Sequence, residues 1–315
     1  MTSYLIRRLG FIILTLILAS LIIFAVTQLL PGDVAGIILG QFATEAAVAN
    51  LREELGLNRP LPIQYLDWAT GFVRGDWGNS LVSRVPIRPM VMQRLGNSAM
   101  LAGLALLIYV PLGIFFGVIA ALKRDKWPDQ LITGISMAFV GLPEFVSGLL
   151  LISFLAIGLE WFPANSSISP DSTFREALPY LILPAITVSL TGLGYIARMT
   201  RSGTLDVLRT DYVRAADLKG LPARQVLIRH VLRNSLLPTV TVVAMGIGWL
   251  LGGLIVTETV YGYPGLGRLI VYSIQRQDLP LIQASSMIIV AIFSLSNLAA
   301  DILYGFLNPR IRVGK

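Results

Sequence analysis

The chain has no cysteine and a single histidine, His230. Disulfides, thiol catalysis and cysteine metal sites are thereby excluded, and a histidine-cluster metal site lacks the ligands to exist. Charge is equally sparse: Asp, Glu, Lys and Arg make up 14% of 315 residues, where soluble domains carry about a quarter. The sequence contains no G-x-S-x-G nucleophile elbow. It also contains no G-x-x-x-x-G-K-[ST] phosphate loop. The residues thus predict no catalysis by this chain and no ATP hydrolysis by the phosphate-loop route. Any energy-driven work it shares in draws on an engine in another polypeptide.

What is abundant is apolar. Hydrophobic residues reach 55% and the mean hydropathy is +0.72, which places the chain in a lipid bilayer. A spanning helix needs roughly 20 mostly apolar residues. Stretches free of Asp, Glu, Lys and Arg run over residues 9–32, 95–122, 177–197, 234–257 and 279–300, and a sixth, 130–159, is interrupted once, by Glu144. The expectation is an all-α membrane protein with six transmembrane helices, at about 9–30, 97–122, 131–158, 178–198, 236–257 and 280–302. The first run follows Arg7 and Arg8 but exceeds the length of a signal-peptide core and lacks a small-x-small site before Pro31, so it reads as a retained anchor. The net charge of +7 flanks these spans instead of forming a soluble basic face, which argues for membrane topology and against a nucleic-acid partner.

With the N-terminus inside, the inner segments hold 16 of the 25 basic residues. Six of the others lie in the loop 31–94, too long to count under the positive-inside rule, leaving Arg175, Arg268 and Arg276 against 16. Both termini are therefore expected in the cytoplasm.

The loop 31–94 reads as a small extracytoplasmic subdomain. Thr44 caps a short helix from Glu45 to Leu55, with Gly56 as its stop. Pro60 and Pro62 then predict an extended stretch. Tyr65, Trp68, Phe72 and Trp77 are poor residues for a disordered tether. The segment 199–234 is the other unit outside the bilayer. Thr210 caps a helix through Lys219, Gly220 ends it, and Pro222 suits the first turn of a second short helix. Val226, Leu227, Val231 and Leu232 share one side of that helix, with Arg229 and Arg233 on another.

Glu144, beside Pro143, is the one charge that this reading places well inside a span, where an unpaired carboxylate is expensive. Two readings stand for it: a group lining a translocation path or carrying a proton, and a bystander facing water at a proline break. Gly246, Gly248, Gly252 and Gly253 crowd the fifth span, with Gly248 and Gly252 in small-xxx-small spacing. They suit packing within the chain and packing against a partner equally.

The cytoplasmic segment reads Arg214-Ala215-Ala216-Asp217-Leu218-Lys219-Gly220, which resembles the E-A-A-x-x-x-G loop of bacterial ABC importer permeases, with Arg214 at the family's Glu and Leu-Pro falling later, at Leu237-Pro238. Asp211-Tyr212-Val213-Arg214-Ala215-Ala216 resembles the dipeptide and oligopeptide branch in particular. Leu30-Pro31-Gly32-Asp33, Leu55-Gly56-Leu57, Pro60-Leu61-Pro62-Ile63-Gln64-Tyr65, Gly75-Asp76-Trp77-Gly78, Glu258-Thr259-Val260, the run Tyr263 to Arg268 and Asn308-Pro309-Arg310 resemble signatures of its B-type subunit, in order along nearly the whole chain.

The resemblance implies a type I permease fold in the bacterial inner membrane. Its implied partners are a second permease, two ATPase subunits that hold ATP and Mg, and an extracytoplasmic solute-binding protein. This chain would need no cofactor of its own. The coupling residues it implies are Asp211, Tyr212, Arg214, Ala215, Ala216, Asp217 and Gly220, with Ala215 and Ala216 exposing a low surface to the ATPase. Arg209, Arg214 and Arg224 fit two roles, pairing with acidic ATPase residues or with anionic membrane lipid. The solute implied is a peptide, with glutathione, nickel chelates and oligosaccharides handled by similar chains. A proton-coupled transporter using Glu144, and a scaffold without transport, are the readings from other classes.

Overall fold

The computed structural model describes residues 2–29, 44–54, 58–169 and 172–307. The expected stop at Gly56 and the motif at 308–310 lie outside them. Among the described residues the regular structure is helical, with one isolated bridge between Asn79 and Pro86. The helices are α1 (Thr2–Leu29), α2 (Glu45–Glu54), α3 (Leu61–Arg74), α4 (Ile87–Leu122), α5 (Trp127–Gly141) and α6 (Glu144–Leu151), the last prolonged by a π-helical stretch, Ile152–Gly158. They continue as α7 (Phe174–Leu208), α8 (Asp211–Leu218), the single turn α9 (Ala223–Gln225), a second π-helical stretch (Val226–Leu232), α10 (Arg233–Val260), α11 (Leu266–Gln275) and α12 (Leu279–Leu307).

Among the described residues, five helices are long and apolar enough to cross a membrane, and six if α5 and α6 with its π extension form one span. Those two meet at 107°. The cause is local. Proline disfavours the helical region for its predecessor, and Leu142 before Pro143 sits at φ −80°, ψ 126°. Helix α5 stops at Gly141, and α6 restarts with Pro143 at its N-cap. Elsewhere prolines are absorbed: Pro111, Pro179, Pro184 and Pro238 lie inside helices, as the interiors of membrane helices tolerate.

The chain divides into two compact units. The first comprises residues 1–98 and 264–294. Its core joins Ile87 and Val91 of α4 to Leu266 and Leu269 of α11 and Leu281 and Ala284 of α12, with Phe72 and Trp77 packed against it. Thr44 caps α2 as expected, its hydroxyl accepting from the Ala47 amide at 3.3 Å. The extended stretch expected at Pro60 and Pro62 is absent. Pro60 is the N-cap of α3 and Pro62 lies in its first turn, where a missing N–H costs nothing because those amides have no intrahelical partner. The four aromatics do pack. Phe24 of α1 meets Tyr65 and Trp68 at 5.5 and 5.9 Å, and Phe72 stacks on Trp77 at 5.1 Å.

The second unit comprises residues 99–263 and 295–315. Its main core gathers Leu101, Ala105 and Tyr109 of α4, Leu181, Ala185 and Ile196 of α7, and Leu250 and Leu254 of α10. Four glycines that the sequence did not single out sit at close approaches between its helices. A Cβ at Gly113 would lie 2.7 Å from Ile196, and one at Gly117 would lie 2.5 Å from the Ala197 carbonyl. A Cβ at Gly194 would lie 2.6 Å from the Ser136 carbonyl, and one at Gly203 would lie 2.6 Å from the Ser235 carbonyl. Helix α4 therefore presents the small-xxx-small pair, Gly113 and Gly117, to α7. Gly246 has no such contact: a Cβ there would meet only the Tyr109 hydroxyl, at 3.9 Å.

Candidate functional site

The segment that carries the loop motif begins where α7 ends. Thr210 holds the N-cap position of α8 in an extended conformation, but its hydroxyl turns back and donates to the Val207 carbonyl at 2.6 Å. Asp211 supplies a carboxylate in the first turn, favourable at a helix N-terminus. Val213 and Ala216 point inward and form a buried cluster with Val226 and Val231, flanked by Val207, Leu208, Leu221 and Leu227. Asp211, Tyr212, Arg214, Ala215 and Asp217 are exposed, and Leu218 is 83% exposed.

The expectation that Ala215 and Ala216 both form the outward surface is thus corrected. Consecutive residues on a helix differ by about 100°, and Ala216 shares its face with Val213, three residues back, so only Ala215 looks outward. Tyr212 is tied to the next helix through its hydroxyl, which accepts from Asn234 Nδ2 at 3.0 Å. Gly220 follows with φ +73°, the left-handed region that costs glycine little. The Leu221 amide reaches back to the Ala216 carbonyl, at 3.4 Å. The second short helix is not a separate element: α9 runs through the π-helical stretch straight into α10.

Helix α8 sits on a braced stem. Helix α7, at 35 residues, rises about 50 Å and starts in a capping box in which Thr173 and Glu176 exchange hydrogen bonds. Near its far end Arg201 makes a bidentate ion pair with Asp129 of α5, Nε to Oδ1 at 2.6 Å and the guanidinium's other arm to Oδ2 at 2.7 Å. Asp129 is 3% exposed and also accepts from the Asp125 amide and the Thr133 hydroxyl. Thr200 meets Thr239 of α10 at 3.0 Å between hydroxyls. The stem of α8 is therefore joined to α5 on one side and α10 on the other.

Glu144 opens α6 at the break, half-buried, and its carboxylate accepts from the hydroxyl of Thr257 on α10. Nearby, the Tyr261 hydroxyl lies 2.7 Å from that of Thr187 and donates to the Gly148 carbonyl at 3.2 Å. Glu144 is thus part of a polar joint between α6, α7 and α10. It is also not the one buried charge: Glu258, the neighbour of Thr257, is 0% exposed. The sequence offered one signal for Glu258, its place in the Glu258-Thr259-Val260 motif.

A cavity of about 340 Å³ opens among α4, α7 and α10, lined by Tyr109, Val188, Gly192, Tyr195, Val242 and Gly246. Gly246 therefore lines a space instead of sealing a contact, while the environments of Gly252 and Gly253 lie outside the described residues. Among the described residues no group of three or more His, Asp or Glu side chains is placed to hold a metal ion.

The chain is similar to known proteins in sequence and in fold. Residues 113–313 match the family described as binding-protein-dependent transport system inner membrane component, and residues 1–95 match its N-terminal companion. Over 312 residues the chain is 38% identical to the "Probable peptide ABC transporter permease protein y4tP" of Sinorhizobium fredii, covering 99% of this chain and 100% of that protein. It is likewise 38% identical to the glutathione transport system permease protein GsiC of Salmonella typhimurium, covering 99% of each. In fold it is similar to a chain of the inward-facing MetNI methionine ABC transporter, with a TM-score of 0.51 at 16% identity over 69% of this chain and 94% of that one. On this agreement of sequence along its whole length, the chain belongs to the inner-membrane permease subunits of binding-protein-dependent ABC importers.

Proposed function

We propose that the chain pairs with a second, homologous permease to form the path for a peptide-type solute, delivered by a binding protein outside and driven by two ATPase subunits inside. The relatives are named for the transport of peptide and of glutathione, and glutathione is itself a tripeptide. Both termini and the segment 199–234 face the cytoplasm, while 31–94 faces outward. ATP and Mg belong to the ATPases; this chain contributes no catalytic group.

The observation that carries the reading is the two-sidedness of α8. Its inner face, Val213 and Ala216, is fixed on its own chain, while Leu218, 83% exposed, and the exposed Ala215 offer an apolar outer surface for a partner's groove. The left-handed Gly220 sets the turn that presents it. Movement of the ATPases against α8 passes to α7, and through Arg201–Asp129 and Thr200–Thr239 to α5 and α10. The break at Leu142–Pro143 with Glu144 bonded to Thr257 lies at the other end of those helices, where a change in α5 or α10 alters the angle of α6. This is alternating access by a lever.

The test is ATP-dependent uptake of labelled di- and tripeptides into vesicles holding the full complex and its binding protein. Uptake that needs ATP and the binding protein, with no ATP hydrolysis by the purified chain alone, is the expected result. Uptake driven by a proton gradient without ATP overturns the proposal.

A further inference from the structure

We infer that α3 is an interfacial membrane helix that holds Leu66 and Val73 among lipid acyl chains beside α1, so that this part of the segment 31–94 is not surrounded by water. At about 100° per residue, Trp68, Phe72, Tyr65, Val73 and Leu66 fall within one arc of roughly 160°. Thr70, Arg74, Asp67 and Gln64 lie outside it, with Ile63 the one large apolar residue among them. Only part of the apolar arc is used within the protein. Tyr65, Trp68 and Phe72 pack on Phe24 and Trp77, and the Tyr65 hydroxyl lies 2.9 Å from that of Ser20. Leu66 remains 58% and Val73 85% exposed.

The depth of these contacts identifies the occupant. Ser20, Phe24 and Gln28, the α1 residues that touch Tyr65, Trp68 and Gln64, all lie within the apolar run of α1. From Ser20 to Gln28 the helix rises about 12 Å, a large fraction of one leaflet of a hydrocarbon core about 30 Å thick. At that level α1 itself exposes Ile22 by 62% and Val26 by 52%, apolar surface of the kind a spanning helix turns to lipid. The apolar flank of α3 continues that surface.

The polar arc suits water and headgroups: Asp67 pairs with Arg59 at 3.2 Å, both 62% exposed. Tyr65 and Trp68 are the amphipathic rings that favour the membrane–water boundary. An apolar arc, an opposite charged arc and aromatic anchors together describe a helix lying in that boundary. A soluble protein would have to enter the bilayer to reach the level of Ser20.

The inference rests on α1 spanning the membrane, and the experiment separates the two. Because the chain has no cysteine, Leu66→Cys, Val73→Cys, Asp67→Cys, Thr70→Cys and Ile22→Cys are made singly in the complete transporter and labelled with a small fluorophore. The labelled complexes are placed in phosphatidylcholine and phosphatidylglycerol vesicles. Nitroxide-bearing lipid should quench positions 66 and 73 at least about twofold more than aqueous iodide does, with the order reversed at 67 and 70. Iodide quenching at 66 and 73 as strong as at 67 and 70 overturns the inference. So does shielding of 66 and 73 that appears only when the binding protein is added. Position 22 is the reference: if lipid fails to quench it, the spanning of α1 fails first. Should Leu66→Cys not assemble, Val73→Cys and the 55% exposed Leu61→Cys carry the same comparison.

Discussion

The Ser80 hydroxyl donates to the Asp278 carboxylate across 198 residues of sequence. The same carboxylate accepts from the amides of Leu81 at 3.2 Å and Val82 at 3.4 Å, and the side chains of Ser80 and Asp278 are almost wholly buried. Asp278 thereby satisfies a turn before α4 and pins it to the start of α12. Asp278→Ala should cost roughly 2–3 kcal/mol, since the buried Ser80 hydroxyl and the part-buried amides of Leu81 and Val82 lose a charged acceptor. Asp278→Asn, which keeps an acceptor, should cost about half of that. Unfolding of the detergent-solubilised complex measures both, and wild-type stability in Asp278→Ala contradicts the pinning role.

Glycine positions give a contrast within one fold. Gly117→Ala puts a methyl 2.5 Å from the Ala197 carbonyl and 2.6 Å from Thr200 Cβ, and such overpacking costs about 1–3 kcal/mol. Gly246→Ala meets nothing nearer than 3.9 Å and should stay within about 0.5 kcal/mol of wild type. Thermal inactivation of the two variants side by side checks this. Equal losses would mean that α4 and α7 do not meet as described.

These cases mark what the sequence could reveal. The apolar runs are legible because the bilayer sets helix length and excludes charge, a constraint local to each run. Pro143 is legible as a break, but the 107° that follows is not, because the direction of α6 depends on Thr187, Thr257 and Tyr261, whose positions come from other helices. Asp129, Glu258 and Asp278 look like ordinary polar residues near helix ends. The partner of Asp129 is 72 residues away and that of Asp278 is 198, and periodicity carries no such information. Ala216 was misplaced for the same reason: choosing between two adjacent alanines requires knowing that Val226 and Val231 return to cover one of them.

That choice can be tested directly. Ala216→Glu buries a charge without a partner and should lower stability of the chain itself. Ala215→Glu, on the exposed face, should leave stability intact and cut co-purification of the ATPases severalfold. Gly220→Val forces a β-branched residue to positive φ, a strain of about 1–3 kcal/mol, and should weaken ATPase binding through the turn. Stable, fully coupled Ala215→Glu would show that this face is not where the ATPase docks.

Sidedness has an equally simple measurement in a chain free of cysteine. Asn50→Cys should react with an impermeant thiol reagent in intact cells, and Gln225→Cys only after the membrane is opened, because the basic residues divide that way once the long loop is set aside. Labelling of position 225 from outside would reverse the topology and with it the assignment of α8 to the ATPase side.

Glu144 separates the energy sources. Its carboxylate accepts from Thr257 at the α6 break, and glutamine keeps an acceptor oxygen in that place while abolishing proton exchange. If ATP supplies the work, Glu144→Gln should retain uptake within about threefold of wild type, because glutamine still accepts from Thr257 and no proton has to be carried. Thr257→Val removes the donor and leaves Glu144 to find another, so it should disturb the joint more than the glutamine does. Near-complete loss of uptake in Glu144→Gln, with normal assembly and normal ATP hydrolysis, would instead make the carboxylate's charge part of the transport step.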